Sequence, residues 1–275
     1  MIRAISCDLD GTLLDHQARI RPQSARALAQ LSRQGMLVIL ASGRSWRTVL
    51  RIQQAIGIVG PIITHNGAYG YDSDRKAEWY RRGVPAARAR EFVAWANQSG
   101  VMVRCYLGAG RPVVYNRFDL AHQLCWLRPE DRLVTDLAHS LNIDPLEIFL
   151  SGLESVDSFV RRFGMRGEDY ELTIFPHVGY REVNICAPGV DKVEALETFC
   201  RAWNIKRHEV LALGDGANDV RMLEWAGVSV AIGDGQPAAQ AVAEFVTSPA
   251  NPEPVVEGLR WALPDFQLSL PATSA

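Results

Sequence analysis

Cysteine pairs of the kind that bind zinc or build a disulfide framework are missing from this sequence. Its five cysteines are scattered and odd in number, and no C-x-x-C pair occurs among them. This pattern argues against a structural zinc site and against a disulfide-stabilised fold. Most of the cysteines stand among apolar neighbours, which predicts small core side chains in a reducing compartment.

An excess of charge is also lacking, because the formal net charge is -2 and the isoelectric point is near 6.3. A nucleic-acid-binding protein usually carries a strongly basic patch, so no nucleic-acid partner is predicted. No apolar stretch approaches the length of a membrane span, and the first residues lack the pattern of a signal peptide. The expectation is a cytoplasmic protein without a membrane partner, either a monomer or a homodimer.

The 275 residues, 48% of them hydrophobic, suffice for one large domain or two smaller ones. Short apolar runs alternate with helical patterns in the first and last parts of the chain. Strands without polar alternation, interleaved with helices, indicate a parallel sheet covered on both faces, which predicts an open doubly wound α/β fold. The predicted strands are 2–7, 36–41, 61–64, 209–213 and 228–232, and the predicted helices are 24–34, 46–56, 192–203, 219–225 and 237–243.

The middle of the chain has a different pattern. A helical stretch at 86–99 precedes two strand-like stretches, 101–106 and 112–115, that would pair across a glycine-containing turn. Further helical and strand-like segments follow, which together predict an α+β insert. The predicted domains are therefore a core made of residues 1–81 and 182–275, and an insert made of residues 82–181.

Two aspartates, Asp8 and Asp10, directly follow the first predicted strand and are followed by Gly11 and Thr12. Alternate residues of an extended chain point to the same side, so both carboxylates would share one side of the loop. The carboxyl ends of parallel strands are where such sheets bind ligands. An Asp-Gly dipeptide also forms ordinary turns, so the motif by itself leaves a structural role open.

A second group of polar residues follows the second predicted strand. These are Ser42, Gly43 and Arg44, of which the serine hydroxyl and the glycine backbone N–H suit the oxygens of a phosphate. Serine and glycine also commonly begin a helix, which is the alternative interpretation. Lys192 stands at the start of a later predicted helix and could direct its ammonium at an anion, although most lysines are solvated.

The fourth motif is the segment from Gly214 to Asp219, which follows the strand at 209–213. It places Asp215 and Asp219 four residues apart around a junction between loop and helix. Carboxylate oxygens are ligands that Mg²⁺ prefers. Asp215 or Asn218 could equally cap the helix, and the two roles are compatible.

In their order along the chain, the four motifs resemble those of the haloacid dehalogenase-like (HAD) phosphohydrolase superfamily. They read D-L-D-G-T, S-G-R, K and G-D-G-A-N-D. The insert lies between the second and third motifs, which resembles the Cof-type phosphatases with a type IIB cap. The resemblance implies a Rossmann-like core in which the first strand lies between the second and the fourth. It also implies that the α+β cap sets substrate specificity.

The resemblance further implies a role for each motif residue. Asp8 would be the nucleophile that forms an aspartyl-phosphate. Asp10 would act as general acid and then as general base, with its geometry fixed by Thr12. Lys192 would bind the phosphoryl oxygens as charge spreads over them.

A bound Mg²⁺ is implied as well, together with a set of substrate contacts. The implied metal ligands are the Asp8 carboxylate, the backbone carbonyl of Asp10, Asp215 and Asp219. The residues implied in phosphate and substrate binding are Leu9, Ser42, Gly43, Arg44, Asn66, Gly67 and Asn218. For Asn66 and Gly67 a tight turn is the alternative role.

The function that follows is a Mg²⁺-dependent phosphatase acting on a small phosphorylated metabolite such as a sugar phosphate. A phosphomutase would use the same aspartyl-phosphate, so the first motif does not separate these two activities. An inactive scaffold that serves as a binding or regulatory protein is a third alternative. The presence of Asp8, Asp10 and Lys192 argues against it, because a binding protein has no need for a nucleophile beside an acid–base pair.

Overall fold

Strands and helices follow one another in the alternating order that the sequence predicts. A computed structural model describes residues 1–118 and 128–269, and its contacts divide the chain into two units. The first unit comprises Met1–Tyr80 and Asp191–Ala275, and the second comprises Arg81–Val190. None of the helices described in either unit is both long and apolar enough to cross a membrane.

The helices and strands of the described residues are numbered here along the chain. The strands are β1 (Ala4–Cys7), β2 (Leu37–Ala41), β3 (Pro61–Thr64), β4 (Tyr69–Asp72), β5 (Ala77–Arg81), β6 (Val103–Tyr106), β7 (Val114–Tyr115), β8 (Arg132–Leu133), β9 (Glu147–Ser151), β10 (Glu171–His177), β11 (Tyr180–Cys186), β12 (Val210–Gly214), β13 (Val228–Ala231) and β14 (Phe245–Val246). The helices are α1 (Pro22–Arg33), α2 (Trp46–Ala55), α3 (Ala86–Gln98), α4 (Leu137–Ser140), α5 (Leu153–Phe163), α6 (Lys192–Ala202), α7 (Val220–Trp225), α8 (Pro237–Gln240) and α9 (Pro254–Ala262).

The described part of the first unit is built on an eight-stranded sheet in the order β14-β13-β12-β1-β2-β3-β4-β5. Strand β1 pairs in parallel with β2 on one side and with β12 on the other. Only the far edge departs from this pattern, where β4 runs antiparallel to β3. The predicted α/β class and the expected place of the first strand, between its two partners, are both confirmed.

Helices cover both faces of this sheet, and its central strands β1, β2 and β12 are mostly apolar for that reason. Successive residues of a strand point to opposite faces. In β1, Ile5 belongs to a cluster formed with α1, α2 and α9. Its neighbour Ala4 belongs to a second cluster, formed with α6, α7 and α8. Both faces therefore exclude water, which accounts for the continuous apolar runs in the sequence.

The second unit contains a six-stranded sheet among its described residues, in the order β10-β11-β9-β6-β7-β8. Most of its strands are antiparallel, including the predicted pair of β6 and β7. Its core is aromatic where helix α3 meets α5, since the ring of Phe92 packs edge-on against Phe159 and Tyr170.

The predicted boundary at residue 182 needs correction, because it cuts through this sheet. Strand β11 pairs with β10 along its whole length and with β9 on its other side. The second unit therefore continues to Val190, and the chain returns to the first unit at Asp191. The first predicted boundary, at residue 81, lies within one residue of the observed division.

Glu253, which lies far along the chain from α1, caps the first turn of that helix. Arg21 precedes α1 and provides no side-chain cap. Instead, Glu253 accepts hydrogen bonds from the backbone N–H of Gln23 (2.9 Å) and from the N–H and hydroxyl of Ser24 (2.7 Å each). These N–H groups have no partner within a helix, and the negative charge also favours this end of the helix dipole.

We expect Glu253→Ala to lower the free energy of unfolding by about 1–2 kcal/mol, because it removes both cap acceptors. Urea unfolding followed by circular dichroism measures this loss. The exposed Glu244 provides a matched control, and Glu244→Ala should change stability by less than about 0.5 kcal/mol. Equal stability of the two variants would contradict a capping role for Glu253.

Candidate active site

Asp8 lies at the carboxyl end of β1, in the middle of the eight-stranded sheet. Its backbone N–H donates, at 2.9 Å, to the carbonyl of Leu213 in the neighbouring strand β12. Its side chain is buried, and Oδ1 accepts a hydrogen bond from Lys192 Nζ at 2.5 Å. The parallel pairing of β1 with β12 thus fixes the backbone of Asp8, while Lys192 fixes its carboxylate.

Lys192 is the first residue of α6, and its buried ammonium joins two carboxylates. Besides Asp8 it donates to Asp219 Oδ1 at 2.6 Å. The other oxygen of Asp219 accepts from the backbone N–H groups of Asp215 (3.1 Å) and Gly216 (3.0 Å). Asp219 is therefore held by the loop that follows β12, and Lys192 connects this loop to Asp8.

Asp8, Asp215 and Asp219 together carry more negative charge than Lys192 can neutralise. Burial raises the pKa of Asp8 to about 8, an effect that Lys192 opposes and that the charge of Asp219 reinforces. Burial, followed by the charge of Asp219, raises the pKa of Asp215 to about 6. Burial acts to lower the pKa of Lys192, but the two carboxylates that it contacts outweigh this effect and raise it.

This cluster of aspartates fits a small divalent cation. One carboxylate oxygen from each of Asp8, Asp215 and Asp219 can lie within 4.8 Å of the others. Hard cations such as Mg²⁺ prefer an all-oxygen set of this kind, and the excess negative charge favours such an ion. Both oxygens of Asp219 already accept hydrogen bonds, so Asp8 and Asp215 have the more available oxygens.

The loop that follows Asp8 turns tightly against Asp215. Gly11 has a positive φ of 80°, and a Cβ at this position would overlap the carboxylate of Asp215. The next residue, Thr12, is buried, and its hydroxyl donates to Asp215 Oδ1 at 3.3 Å. The sequence interpretation assigned Thr12 to Asp10, and the structure corrects this, because the turn at Gly11 directs the hydroxyl toward Asp215.

Asp10 lies outside the cluster of three aspartates and forms an ion pair with Arg44. The guanidinium binds the carboxylate with two atoms, Nε to Oδ2 at 2.8 Å and Nη2 to Oδ1 at 2.6 Å. The hydrogen bond to Asp10 raises the pKa of Arg44. The backbone N–H of Arg44 in turn donates to the buried hydroxyl of Ser42 at 3.1 Å. Arg44 therefore links the first motif to the second.

Asn66 and Asn218 complete the surroundings of the second motif. Asn66 has a positive φ of 55°, and its N–H donates to the carbonyl of Ser42 at 3.1 Å. Its side-chain oxygen accepts from Asn218 Nδ2 at 3.1 Å. A Cβ at Gly43 would lie only 2.7 Å from that same oxygen, so a larger residue at 43 would displace Asn66.

The other two predicted substrate-binding residues, Leu9 and Gly67, make packing contacts in this structure. The side chain of Leu9 is buried in the core cluster shared with α1, which leaves only its backbone for a substrate. Gly67 lies against the carbonyl group of Asp191, the residue before Lys192. Asp191 was not among the predicted site residues, although an aspartate directly before a helix is a recognisable N-cap signal.

Most of the chain matches one known protein family. Residues 5–259 match the model of the haloacid dehalogenase-like hydrolases. The chain belongs to this family. The family resemblance of the four motifs is thereby confirmed, and the prediction of a phosphoric monoester hydrolase is confirmed at the level of the family.

Two relatives that are named as phosphatases align with this HAD-like hydrolase over most of its length. The pyridoxal phosphate phosphatase YbhA of Escherichia coli (strain K12) is 28% identical over 253 residues, which is 89% of this chain and 92% of YbhA. The 5-amino-6-(5-phospho-D-ribitylamino)uracil phosphatase YitU of Bacillus subtilis (strain 168) is 24% identical over 263 residues, covering 93% and 96%.

The fold has solved counterparts as well. The structure of a HAD subclass IIB sugar phosphatase superimposes with a TM-score of 0.69 at 20% identity, covering 94% of this chain and 98% of that protein. This likeness supports the same fold for the HAD-like hydrolase described here, including an inserted α+β unit of the cap type.

Proposed function

We propose that this HAD-like hydrolase is a Mg²⁺-dependent phosphatase that acts on a small phosphorylated metabolite through an aspartyl-phosphate on Asp8. The observation that carries the proposal is the environment of the Asp8 carboxylate. It is buried at the end of β1, held by Lys192, and close to Asp215 and Asp219. A carboxylate that only packs or caps a helix does not require an ammonium and two further carboxylates around it.

In the proposed reaction, an oxygen of Asp8 attacks phosphorus and the bond from phosphorus to the ester oxygen breaks. Asp10 gives a proton to the leaving ester oxygen, which departs as the alcohol. Water then attacks phosphorus with Asp10 as base, which breaks the Asp8–phosphate bond and releases phosphate. Asp10 is bound by Arg44, so a phosphate that competes for Arg44 would also release Asp10 for proton transfer.

Lys192 would serve the nucleophile and the phosphate together. An ammonium has three N–H donors, and two of those on Lys192 are used by Asp8 and Asp219. The third could bind a phosphoryl oxygen while charge spreads over the transferring group. Ser42 and Asn218 would supply further donors, from a hydroxyl and an amide.

The residues that would hold Mg²⁺ are Asp8, Asp215, Asp219 and the backbone carbonyl of Asp10. A cation bound there would offset the repulsion between the Asp8 carboxylate and the anionic substrate. The excess negative charge of the aspartate cluster supports this assignment.

The substrate class is proposed from the relatives. YbhA and YitU are named for small phosphorylated compounds, pyridoxal phosphate and a phosphoribitylamino-uracil. By analogy, the second unit would act as the cap that selects the substrate of this chain. The four described cysteines are free thiols, which supports the proposal of a cytoplasmic enzyme.

A panel of phosphorylated metabolites, assayed for phosphate release with Mg²⁺ and after chelation, tests the proposal. We expect hydrolysis of at least one sugar phosphate or cofactor phosphate, loss of that activity after chelation, and recovery on adding Mg²⁺. Activity that survives thorough chelation contradicts the metal assignment. Isomerised sugar phosphate without free phosphate would identify a phosphomutase instead.

A further inference from the structure

We propose that Asp191 and Arg221 are positioning residues that hold the Lys192 ammonium between Asp8 and Asp219. This inference rests on the proposed function, because it assigns Lys192 a part in the reaction. Neither residue belongs to the four motifs or contacts the Asp8 carboxylate. Asp191 nevertheless caps the helix that begins with Lys192, and Arg221 forms an ion pair with Asp191.

Asp191 caps helix α6 with one oxygen and forms an ion pair with the other. Its Oδ1 accepts the backbone N–H of Glu194 at 3.1 Å, which is an N-cap hydrogen bond. Its Oδ2 pairs with a guanidinium nitrogen of Arg221. Lys192 follows directly as the first helical residue, at the end of a helix where fraying is easiest. The cap therefore acts on the backbone from which the ammonium extends.

Arg221 lies near the start of α7, two residues after Asp219. The first turns of α6 and α7 are consequently joined twice. The buried link is the contact of Lys192 Nζ with Asp219 Oδ1, and the outer link is the ion pair of Asp191 with Arg221. The outer link joins the residue before Lys192 to the residue two positions after Asp219, so it restrains the same separation between the two helices.

Gly67 limits the same segment from a third direction. It has a positive φ of 105°, and a Cβ there would overlap the carbonyl of Asp191. The backbone of Asp191 thus packs directly on the turn after β3, with no side chain between them. A lysine side chain is flexible, so a fixed backbone at residue 192 removes one source of movement of its terminal nitrogen.

The distance between a catalytic group and its partner has a steep effect on rate, and a misplacement of 1 Å can cost on the order of 100-fold. Removing the outer link keeps the side chains of Lys192, Asp8 and Asp219 but allows the first turn of α6, which carries Lys192, to move. We therefore expect Arg221→Ala and Asp191→Asn each to lower kcat by about tenfold, with KM changed by less than about twofold. Arg221→Lys, which keeps the charge, should recover most of the loss.

A matched control is available on the same helix. Arg207 donates to the carbonyl of Glu224 at 2.8 Å, near the end of α7 opposite to Arg221. Arg207→Ala also removes one arginine contact with α7, so any general loosening of that helix should appear in this variant. We expect its kcat to equal that of the wild type.

A measurement independent of turnover is possible because the chain has only three lysines, Lys76, Lys192 and Lys206. Lys192 is buried and the other two are exposed. In protein labelled with ¹⁵N-lysine, its ammonium should give a slowly exchanging signal that disappears in Lys192→Met. We expect proton exchange at this signal to be at least about tenfold faster in Arg221→Ala and Asp191→Asn, and unchanged in Arg207→Ala.

Wild-type kcat together with an unchanged ammonium signal in Arg221→Ala would overturn the inference. A lower kcat shared equally with Arg207→Ala would also overturn it, because the effect would then be a general loss of helix contacts. Failure of the wild type on every phosphorylated metabolite would refute the proposed function instead. The ammonium signal would in that case still decide whether Asp191 and Arg221 position Lys192.

Discussion

Asp8→Asn is expected to lower kcat by at least about 10⁴-fold and to prevent formation of a phosphoenzyme. An amide oxygen cannot take the place of a carboxylate as nucleophile, so the covalent route is closed. Steady-state phosphate release measures the rate. Acid quenching after mixing with a radiolabelled phosphate ester measures the covalent intermediate, which should be labelled in the wild type alone.

The same substitution should leave the fold intact, and this makes the result interpretable. Asp8 belongs to a buried cluster with excess negative charge, and burial already disfavours its ionised form. A neutral amide of the same shape lessens that repulsion, so we expect the melting temperature of the metal-free protein to be no lower than in the wild type. The exposed Asp265 supplies the control, since Asp265→Asn should retain full activity. Turnover by Asp8→Asn at the wild-type rate would contradict the nucleophile assignment.

Lys192→Met is expected to reduce both stability and activity. Methionine has a similar length and no charge, so Asp8 and Asp219 would face each other without the ammonium that joins them. Removing one partner of a buried ion pair typically costs about 3–5 kcal/mol. The loss of the phosphate-binding cation should also lower kcat by about 100- to 1000-fold.

Urea unfolding and steady-state kinetics test both expectations for Lys192. Lys206→Met replaces an exposed lysine and should change stability by less than about 0.5 kcal/mol, with no effect on kcat. Saturating Mg²⁺ should return part of the stability lost in Lys192→Met, because a bound cation would neutralise the same carboxylates. A variant as stable and active as the wild type would show that Lys192 is not the counter-ion of Asp8.

The sequence predicts Asp8, at the centre of the site, better than it predicts the contacts that hold the surrounding residues in place. Asp8 follows a strand that is buried on both faces, and such a strand reads as an unbroken apolar run. The contact of Thr12 with Asp215 depends on the turn at Gly11, which places two segments together that are far apart in the chain. Nothing in the local pattern around residue 12 reports on that distant carboxylate.

Strand β5 and the insert boundary at β11 are harder to predict because these two strands are only partly buried. In β5, Ala77 and Glu78 are exposed, and the other three residues are half-buried. In β11 the polar Glu182 and Asn184 alternate with the buried Val183 and Ile185. That alternation is typical of an antiparallel sheet with one open face, which is the pattern of the second unit and not of the first.

The position of β1 between β2 and β12 has a consequence for how the enzyme is made. One partner of β1 is β2, which follows it closely in the chain and is synthesised early. The other partner, β12, is translated only after the whole second unit. A nascent chain therefore carries Asp8 on an unpaired strand edge until β12 leaves the ribosome. Pairings this distant in sequence form slowly and leave intermediates with exposed edges. Catalytic competence should consequently arise late, when β12 pairs with β1 and brings Asp215 and Asp219 beside Asp8.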